Sequence, residues 1–325
     1  KGVFNMKIAV TGGAGFVGEH LINELLANSH HVNALSRKTR EDINSELKWY
    51  KGDLNDEQSL ELFLSGCEIV INCAGEISNS DNFERNNVSG VKILYQASVD
   101  AGVGLFIQLS SAGIYREPSE GEITEESELY AYNEYEKSKI EAEEWLFNQH
   151  GMKTVILRPT TVYGGGMPNE SLRSLFSAIS KKRFFFIGSK LSNSCYISVD
   201  NVVSAIARVI DQKEKFIEGP KHCDAYNLSH DMYYKDFLGL AAKALKVDLP
   251  MFRMPLSFIL TLLWLNETIF NVEIPLTSKR AKTLARRSIY SSRKFEDYFT
   301  WHPQISHSTT ITDCVNSWFN QNGVK

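Results

Sequence analysis

Tyr135 and Lys139 are four positions apart in the segment YEKSK, and on a helix this spacing places both side chains on one face. Such a pair suits carbonyl–alcohol chemistry, because an adjacent ammonium favours the phenolate of a tyrosine that is otherwise a poor base at neutral pH. We therefore expect Tyr135 to exchange a proton with a substrate oxygen and Lys139 to lower the pKa of Tyr135. Ser111, in QLSSAGIY, is a candidate to hydrogen-bond the same oxygen.

A second Y-x-x-x-K pattern occurs at Tyr290–Lys294. The chain has 13 tyrosines, so one accidental match is expected. Unlike Tyr135, Tyr290 has no strand-and-serine segment upstream of it. We interpret Tyr290 and Lys294 as surface residues.

A glycine-rich turn connects the first predicted strand to the first predicted helix. In KIAVTGGAGFVGEHLINELL, an apolar strand is followed by Gly12, Gly15 and Gly18 and then by an amphipathic helix. In this context the three glycines predict a dinucleotide site: the first permits a tight turn, the second lets backbone approach a pyrophosphate, and the third lets helix pack on strand. Free N–H groups at the helix start favour phosphates, so Phe16 and Val17 belong to the predicted site.

The end of the second strand distinguishes NAD from NADP. An acidic residue there would bind the ribose hydroxyls of NAD, but the sequence gives Ser36, Arg37 and Lys38, with Arg40 close behind. Because Arg37 can pair with a 2′-phosphate, NADP(H) is favoured, while NAD(H) stays possible. The alternative interpretation is a solvated basic loop.

Further cofactor contacts are expected where the next two strands end. Asp53 and Leu54 follow the third strand and are placed to meet the adenine. Cys73, Ala74 and Gly75 follow the fourth strand and are placed to line the cofactor, with Cys73 as a small packing residue and not a nucleophile.

The alternation of β-branched runs with amphipathic segments predicts an α/β fold, a Rossmann-type doubly wound parallel sheet. The expected strands are Lys7–Thr11, Val32–Leu35, Lys48–Tyr50, Ile69–Asn72, Leu105–Ser110, Thr154–Leu157 and a returning Ala225–Leu228. The pattern becomes irregular after Tyr163. We predict a dinucleotide-binding domain over 6–163 and 196–230, and a smaller, mainly helical C-terminal substrate lobe over 164–195 and 231–325.

Composition excludes several classes of protein. A net charge of −4 argues against a protein whose main activity is to bind nucleic acid or anionic lipid through a basic field. Five scattered cysteines without a C-x-x-C pair predict a reduced, cytoplasmic chain with no metal site. No signal peptide is visible before or after Met6.

These motifs resemble the extended short-chain dehydrogenase/reductases, the family of nucleotide-sugar epimerases, dehydratases and reductases. The resemblance covers nearly the whole chain and rests on TGGAGFVG (11–18), GDL (52–54), CAG (73–75), NNVSGVKILYQA (86–97), LSSAGIY (109–115), YEKSK (135–139), LRPTTVYG (157–164) and YISVDNV (196–202). It implies a catalytic triad of Ser111, Tyr135 and Lys139. It also implies that Asn87 lies near the active-site end of the cofactor and that Pro159 and Thr160 pass beside the nicotinamide, although Asn87 could merely bridge helices and Pro159 merely end a strand.

Departures from the family pattern reduce the number of reactions that we expect of this chain. The dehydratases of this family carry an Asp-Glu pair after the catalytic hydroxyl, where this chain has Ala112 and Gly113, two candidate substrate contacts. Dehydration is therefore not expected. Many of the epimerases carry an arginine where this chain has Ser194. Replacement cations for a substrate diphosphate are Lys279, Arg280, Arg286 and Arg287, although such a basic run is more often a solvated helix face.

The leading functional hypothesis is an NADP(H)-linked reductase of a 4-keto nucleotide sugar (UDP- or dTDP-hexose), because net reduction draws on the NADPH pool. A nucleotide-sugar 4-epimerase is the first alternative. A hydroxysteroid-type alcohol dehydrogenase and a non-catalytic dinucleotide-sensing subunit are the others. A homodimer is common in the family and is kept as a possible assembly.

The densest apolar run, PLSFILTLLWL at Pro255–Leu265, is too short for the roughly 20 residues that span a bilayer. We predict a helix that seals the core of the substrate lobe. The alternative is a helix that also rests on a membrane surface.

Overall fold

The computed structural model describes residues 5–42, 45–168, 170–249, 252–270 and 276–322, apart from the side chains of 267, 270, 279 and 319–322. The strands in these ranges are β1 (Lys7–Thr11), β2 (His31–Ser36), β3 (Leu47–Lys51), β4 (Ile69–Asn72), β5 (Leu105–Leu109), β6 (Glu120–Ile123), β7 (Lys153–Pro159), β8 (Thr161–Tyr163), β9 (Phe186–Ile187), β10 (Asn193–Ser194), β11 (Tyr196–Ser198), β12 (Cys223–Leu228), β13 (Met232–Tyr233), β14 (Arg253–Met254) and β15 (Arg287–Tyr290). The helices are α1 (Phe16–Ala27), α2 (Glu57–Leu64), α3 (Gly90–Asp100), α4 (Glu134–Phe147), α5 (Glu170–Ser180), α6 (Val199–Asp211), α7 (Lys213–Ile217), α8 (Tyr234–Ala244), α9 (Leu256–Leu265), α10 (Ser278–Ala285), α11 (Arg293–Phe299) and α12 (His307–Asn322).

A seven-stranded parallel sheet forms the centre of the molecule, in the order β12-β7-β5-β4-β1-β2-β3. This confirms the Rossmann-type prediction. Apart from the edge strand β3, its strands are almost entirely buried because helices cover both faces, which is why they read as largely apolar runs. The strand order reverses at β1, between β2 and β4, and such a switch point opens a crevice at the carboxyl ends of the strands.

Separate hydrophobic cores lie on the two sides of the sheet. One is formed with α1, α6 and α11, and the other with α2, α3 and α4. Phe295, Phe299 and Trp301 belong to the first core, where Tyr226 of β12 packs against Phe295 and Phe299. Residues 293–301 thus pack on the sheet, although the sequence analysis assigns them to the C-terminal lobe. The division into two domains stays a prediction.

The prediction that Tyr290 and Lys294 lie on the surface is wrong. Tyr290 is only 6% exposed and packs against Tyr115, because it lies in β15, which pairs with β6. The next helix begins at Arg293, so Tyr290 and Lys294 do not share a helix. The Lys294 ammonium donates to the Asp224 carboxylate and to the Ala225 carbonyl.

The predicted helix in the apolar run is α9, but it seals the core with one stripe only. Ile259 and Leu263 are buried beside Ile187 and Ala281. Phe258, Leu262 and Trp264 on its other side are exposed. Among the described residues, no helix is long and apolar enough to cross a membrane.

His307, at the start of α12, is buried in a stack of rings. Its Nδ1 lies 2.6 Å from the Tyr163 hydroxyl, its Nε2 lies 2.5 Å from the His230 carbonyl oxygen, and its ring stacks on that of His230. Because a carbonyl only accepts, Nε2 carries the proton and Nδ1 accepts from Tyr163. Burial and the neighbouring His230 lower the pKa of His307 to about 4.

This arrangement predicts acid sensitivity. The unfolded chain takes up a proton at His307 below about pH 6.5, whereas the folded chain resists protonation until about pH 4, so stability is lost as pH falls through this window. Urea unfolding should show a loss of about 3 kcal/mol over that window in the wild type that His307→Gln lacks. The matched control is His31→Gln at an exposed position. An unchanged pH slope in His307→Gln would contradict this assignment.

Candidate active site

The turn after β1 requires glycine at two of the three predicted positions. Gly12 has φ +65°, and a Cβ there would lie 2.6 Å from the Ala74 nitrogen. A Cβ at Gly18 would collide with the Gly12 carbonyl oxygen. Gly15 donates to that oxygen at 2.9 Å and caps α1. The loop therefore brings β1, the loop after β4 and the start of α1 into close backbone contact.

The start of α1 offers backbone donors. The N–H groups of Phe16, Val17 and Gly18 precede the first hydrogen bond of this helix, which the Glu19 N–H donates to the Gly15 carbonyl. The side chains of Phe16 and Val17 pack against the hydrophobic core. These two residues can thus contribute to a phosphate site only through their backbone.

A cleft of about 490 Å³ lies at the carboxyl ends of the first four strands. Its walls contain ten of the predicted cofactor residues: Gly12, Gly15, Ser36, Arg37, Lys38, Asp53, Leu54, Cys73, Ala74 and Gly75. They also contain residues outside the predicted set: Thr11, Ala14, Leu35, Arg40, Gly52, Glu76 and Asn86. Most of these additional residues lie next to a predicted strand end, and that position in the sequence could have identified them.

Positive charge collects at one end of this cleft. Arg37, Lys38 and Arg40 line it, and Ser36 accepts a hydrogen bond from the Lys38 N–H at 3.2 Å. Arg40 lies over the Trp49 ring and 3.8 Å from the Glu19 carboxylate. No acidic residue stands at the end of β2 to compete with these cations for a phosphate.

Asp53 forms the other side of the cationic end of the cleft. Burial alone would raise the pKa of Asp53, but hydrogen bonds from Asn55 and the charges of Arg85 and Arg37 outweigh it and lower the pKa. Asp53 is thus a carboxylate fixed by Asn55 and Arg85 beside the Arg37 side chain. Cys73 behaves differently, because burial raises the pKa of its thiol to about 12 and it stays neutral.

Ser111 and Tyr135 meet where β5 ends and α4 begins. Ser111 starts the short 3-10 turn Ala112–Ile114, and its hydroxyl accepts from the Gly113 N–H at 3.1 Å. The same side chain lies close to Tyr135, which is in the first turn of α4. Burial raises the pKa of Tyr135 to about 12, and the nearby Ser111 side chain opposes this only in part. The charge of Lys139 therefore does not by itself lower the pKa of Tyr135 in this structure, and the phenol is protonated at neutral pH.

Lys139 joins this pair to the cleft. It is 6% exposed, its Nζ lies 3.5 Å from the Leu109 carbonyl oxygen, and it lies 5.8 Å from the centre of the Tyr135 ring. A Cβ on Gly75, in the cleft wall, would lie 3.2 Å from the same Nζ. Burial lowers the pKa of Lys139 to about 8, while the charge of Glu143 opposes that effect.

Asn87 bridges three segments at this end of the cleft. Its side-chain oxygen accepts from the Glu76 N–H at 2.8 Å, and its nitrogen donates to the Glu76 carbonyl and the Ser138 hydroxyl, both at 3.0 Å. This amide ties the loop after β4 to α4 beside Gly75.

A buried ion pair between Glu143 and Arg158 lies on the core side of Lys139. The sequence analysis did not predict it. Glu143 follows Lys139 by one helical turn on α4. Its carboxylate accepts from the guanidinium of Arg158 of β7, with both residues at most 3% exposed and the shortest distance 2.5 Å. Arg158 also donates to the Tyr115 hydroxyl, which donates to Asn227. The i, i+4 spacing from Lys139 to Glu143 was a usable signal, but nothing in the sequence marked Arg158 as its partner.

The remaining predicted residues lie outside the cleft wall described above. Pro159 ends β7, and the Thr160 N–H donates to the Leu228 carbonyl. Ala112 is 1% exposed in a small hydrophobic cluster, so only its backbone could meet a substrate. Gly113 is half-buried next to Ser111.

The predicted replacement cations have different surroundings. Arg280 is exposed on α10 and donates to the Ser171 hydroxyl at 3.2 Å, while the side chain of Lys279 lies outside the described residues. Arg286 and Arg287 do not form a solvated helix face, because they follow α10 and pair with Glu117 and Glu120.

The family follows from comparison with known proteins. The model of the NAD dependent epimerase/dehydratase family matches residues 8–228. The chain belongs to this family. It is 27% identical to a sterol-4-alpha-carboxylate 3-dehydrogenase (decarboxylating) of Dictyostelium discoideum over 89% of this chain and 91% of that protein. It is 30% identical to a UDP-glucose 4-epimerase of Vibrio cholerae over 63% of this chain and 66% of that protein.

Among solved structures, the UDP-glucuronic acid 4-epimerase of Bacillus cereus in complex with NAD shares the fold. Its TM-score is 0.74 at 18% identity, over 97% of this chain and 99% of that one. A family of NAD-dependent epimerases and dehydratases agrees with the glycine turn and the cleft at the switch point. A nicotinamide dinucleotide is therefore the cofactor class, and the close approach of Gly12 to Ala74 together with the free helix N–H groups fits its pyrophosphate.

Removing the charge of Glu143 should move the titration of Lys139. In Glu143→Gln the burial of Lys139 and the positive charge of Arg158 are no longer opposed by the carboxylate, so the pKa of Lys139 falls further below about 8. The pH at which dinucleotide binding weakens on the alkaline side should fall by about one unit, as measured by fluorescence titration.

The control is Glu144→Gln, an exposed neighbour on the same helix, which should leave this pH unchanged. Glu143→Gln also leaves Arg158 unpaired and should reduce the free energy of unfolding by about 3 kcal/mol. If its alkaline limb coincides with that of Glu144→Gln, Glu143 does not act on Lys139.

Proposed function

We propose that this protein is an NADP(H)-dependent reductase of a 4-keto nucleotide sugar. The observation that carries the proposal is the Ser111–Tyr135–Lys139 arrangement, placed beside a dinucleotide cleft whose far end is cationic. The phenol of Tyr135 is protonated at neutral pH, as the reduction of a carbonyl requires.

The chain's own residues have separate tasks. A bound nicotinamide cofactor supplies the hydride. Tyr135 donates its hydroxyl proton to the carbonyl oxygen of the sugar, and Ser111 donates a hydrogen bond to the same oxygen. The ammonium of Lys139 holds the nicotinamide ribose and stabilises the phenolate that Tyr135 leaves behind. Lys139 is buried, and Ser111 and Tyr135 are half-buried, which limits the access of water to the reacting atoms.

The preference for NADP(H) rests on the charge at the end of β2. Arg37, Lys38 and Arg40 line the cleft there and form a site for a 2′-phosphate. A net reductase draws on NADPH, whereas an epimerase recycles its cofactor, so this charge supports reduction. We assign the enzyme to the cytoplasm, because its five cysteines are free thiols.

Arg286 is the residue we assign to the substrate diphosphate. It lies over the Tyr290 ring, whose cluster includes Ala112, next to the catalytic Ser111. The Arg286 Nη1 is 2.5 Å from Glu117, and its Nε is buried without an acceptor among the described residues. A diphosphate oxygen would supply that acceptor once the guanidinium moves, since the Nε is closed to solvent in this structure.

Two alternatives use the same catalytic residues. A nucleotide-sugar 4-epimerase is supported by the similarity to the Vibrio cholerae and Bacillus cereus enzymes. A dehydrogenase of a sterol-like alcohol is supported by the Dictyostelium relative, which matches a larger share of the chain. The ion pairs of Arg286 and Arg287 with Glu117 and Glu120 also favour this second alternative, because they reduce the charge available for a diphosphate.

The direct assay follows NADPH oxidation with a UDP-4-keto-6-deoxy hexose. The wild type should consume NADPH, and Tyr135→Phe should lower kcat by at least about 100-fold with little change in NADPH affinity, since only the proton donor is lost. Tyr132→Phe, at an exposed tyrosine near the same helix, is the control. Interconversion of UDP-sugars without added cofactor would favour the epimerase. Oxidation of a sterol alcohol in place of sugar reduction would favour the dehydrogenase.

Cofactor choice is tested at Arg37. In Arg37→Ser the affinity for NADPH should fall about tenfold while that for NADH changes little, because only NADPH carries the 2′-phosphate. Lys48→Ser, an exposed cation of β3 that does not line the cleft, should alter neither affinity. Equal losses for both dinucleotides in Arg37→Ser would remove the case for NADPH.

A further inference from the structure

One region of the surface is both apolar and exposed. Phe252, Phe258, Leu262, Trp264 and Ile269 are between 46% and 65% exposed, and we call them the α9 surface. Three lie on α9 itself, Phe252 precedes it by a few residues, and Ile269 lies in the turn that follows it. Large side chains on one short helix do not normally remain in water unless they bind something.

The helix is firmly held from its other side. Ile259 and Leu263 are 3% and 4% exposed and share a hydrophobic cluster with Ile187 and Ala281. Leu256 and Leu260 pack against the same cluster. One buried stripe thus anchors α9 to the protein, while the opposite side of the same helix is exposed. Between Arg253 and Glu267 the sequence has no charged residue at all.

Unpaired positive charge borders the α9 surface at one end. Lys181, Lys182 and Arg183 are exposed after α5, just before β9. β9 runs parallel to β14, and the Phe186 N–H donates to the Phe252 carbonyl at 3.0 Å, which places this basic segment near Phe252. None of these three side chains forms an ion pair within the described ranges of the chain.

A further cation flanks α9 along its side. Lys282 is exposed on α10, next to Ala281, which packs against α9. Its ammonium likewise has no carboxylate partner among the residues that the structure describes. Exposed cations without ion-pair partners among the described residues therefore flank this apolar helix, although the whole chain has a net charge of −4.

We propose that the α9 surface binds peripherally to an anionic lipid bilayer. Phe258, Leu262 and Trp264 enter the boundary between headgroups and acyl chains, and the basic residues at 181–183 and 282 contact the anionic headgroups. At ten residues α9 is about 15 Å long, half the thickness of the hydrocarbon core, so it lies in the plane of the interface.

The apolar side chains and the basic residues both contribute to the free energy of binding to the bilayer. An apolar patch of this size gives only reversible attachment alone, and stable attachment needs a second contribution such as a basic cluster. The neighbouring cations match an anionic surface, and this charge complementarity favours a bilayer over a second copy of this chain as the occupant.

The experiment is vesicle flotation with the full chain. Vesicles of phosphatidylcholine with phosphatidylglycerol are compared with vesicles of phosphatidylcholine alone, at low and high salt. The wild type should float with the anionic vesicles and much less with the neutral ones, and high salt should weaken binding because it screens the basic residues. The double variant Phe258→Ser/Trp264→Ser should bind at least about tenfold more weakly, since its apolar contact is lost.

Two further variants separate the contributions. Lys181→Glu/Arg183→Glu should lose the preference for anionic vesicles while keeping its melting temperature. Leu62→Ser removes an equally exposed leucine on α2 and should bind like the wild type. Retained NADPH binding in each variant shows that the chain is folded, so failure of this proposal is distinguishable from failure of the proposed reaction.

Three results would overturn the proposal. The wild type could stay unbound with anionic vesicles at low salt. Leu62→Ser could lose as much binding as the α9 variant, which would show that any exposed apolar residue contributes. Finally, Phe258→Ser/Trp264→Ser could turn a dimer into a monomer while the wild type ignores vesicles, which would make a second copy the occupant.

Discussion

The active site depends on one buried ammonium. Lys139 lies between the cofactor cleft and the protein core, with its Nζ against Gly75 on one side and the carboxylate of Glu143 one helical turn behind it. An isolated buried ammonium is unfavourable, and burial accordingly lowers the pKa of Lys139 to about 8. The Glu143 carboxylate opposes this, and Arg158 fixes that carboxylate with several hydrogen bonds. The charge of Lys139 therefore depends on residues that never reach the substrate.

Burial acts in the opposite direction on the neighbouring phenol. It raises the pKa of Tyr135 to about 12, so that Tyr135 keeps its proton, while it lowers the pKa of Lys139 to about 8, closer to neutral pH. Both shifts have one cause, the removal of water at the junction of β5 and α4. A protonated phenol beside a dinucleotide cleft can give its proton to a carbonyl oxygen, which is the step that the proposed reduction requires. The cationic end formed by Arg37 and its neighbours is the reason for preferring reduction by NADPH.

Much of this could be predicted from the sequence, because the signals were local. The buried β-branched runs gave the bounds of β1 and β4 correctly, and the glycine turn predicted the cleft that the structure contains. The missing parts depend on contacts between distant segments. Arg158 and Glu143 each look like ordinary surface charges in the sequence, and β6 and β15 are four-residue strands that pair across more than half of the chain. Tyr290 was predicted to lie on the surface because no strand-and-serine segment precedes it, whereas it lies in a short strand whose partner β6 is distant in the sequence.

The central proposal is that the enzyme catalyses net transfer of a hydride from NADPH to a sugar carbonyl carbon while Tyr135 supplies the proton to the carbonyl oxygen. Its most direct test is to incubate the enzyme with NADPH deuterated at nicotinamide C4 on the face that it uses, together with a UDP-4-keto-6-deoxy hexose. The account predicts one deuterium at C4 of the sugar for each NADPH consumed, as read by mass spectrometry and NMR. A product without deuterium, or sugar interconversion with no net consumption of NADPH, would contradict it.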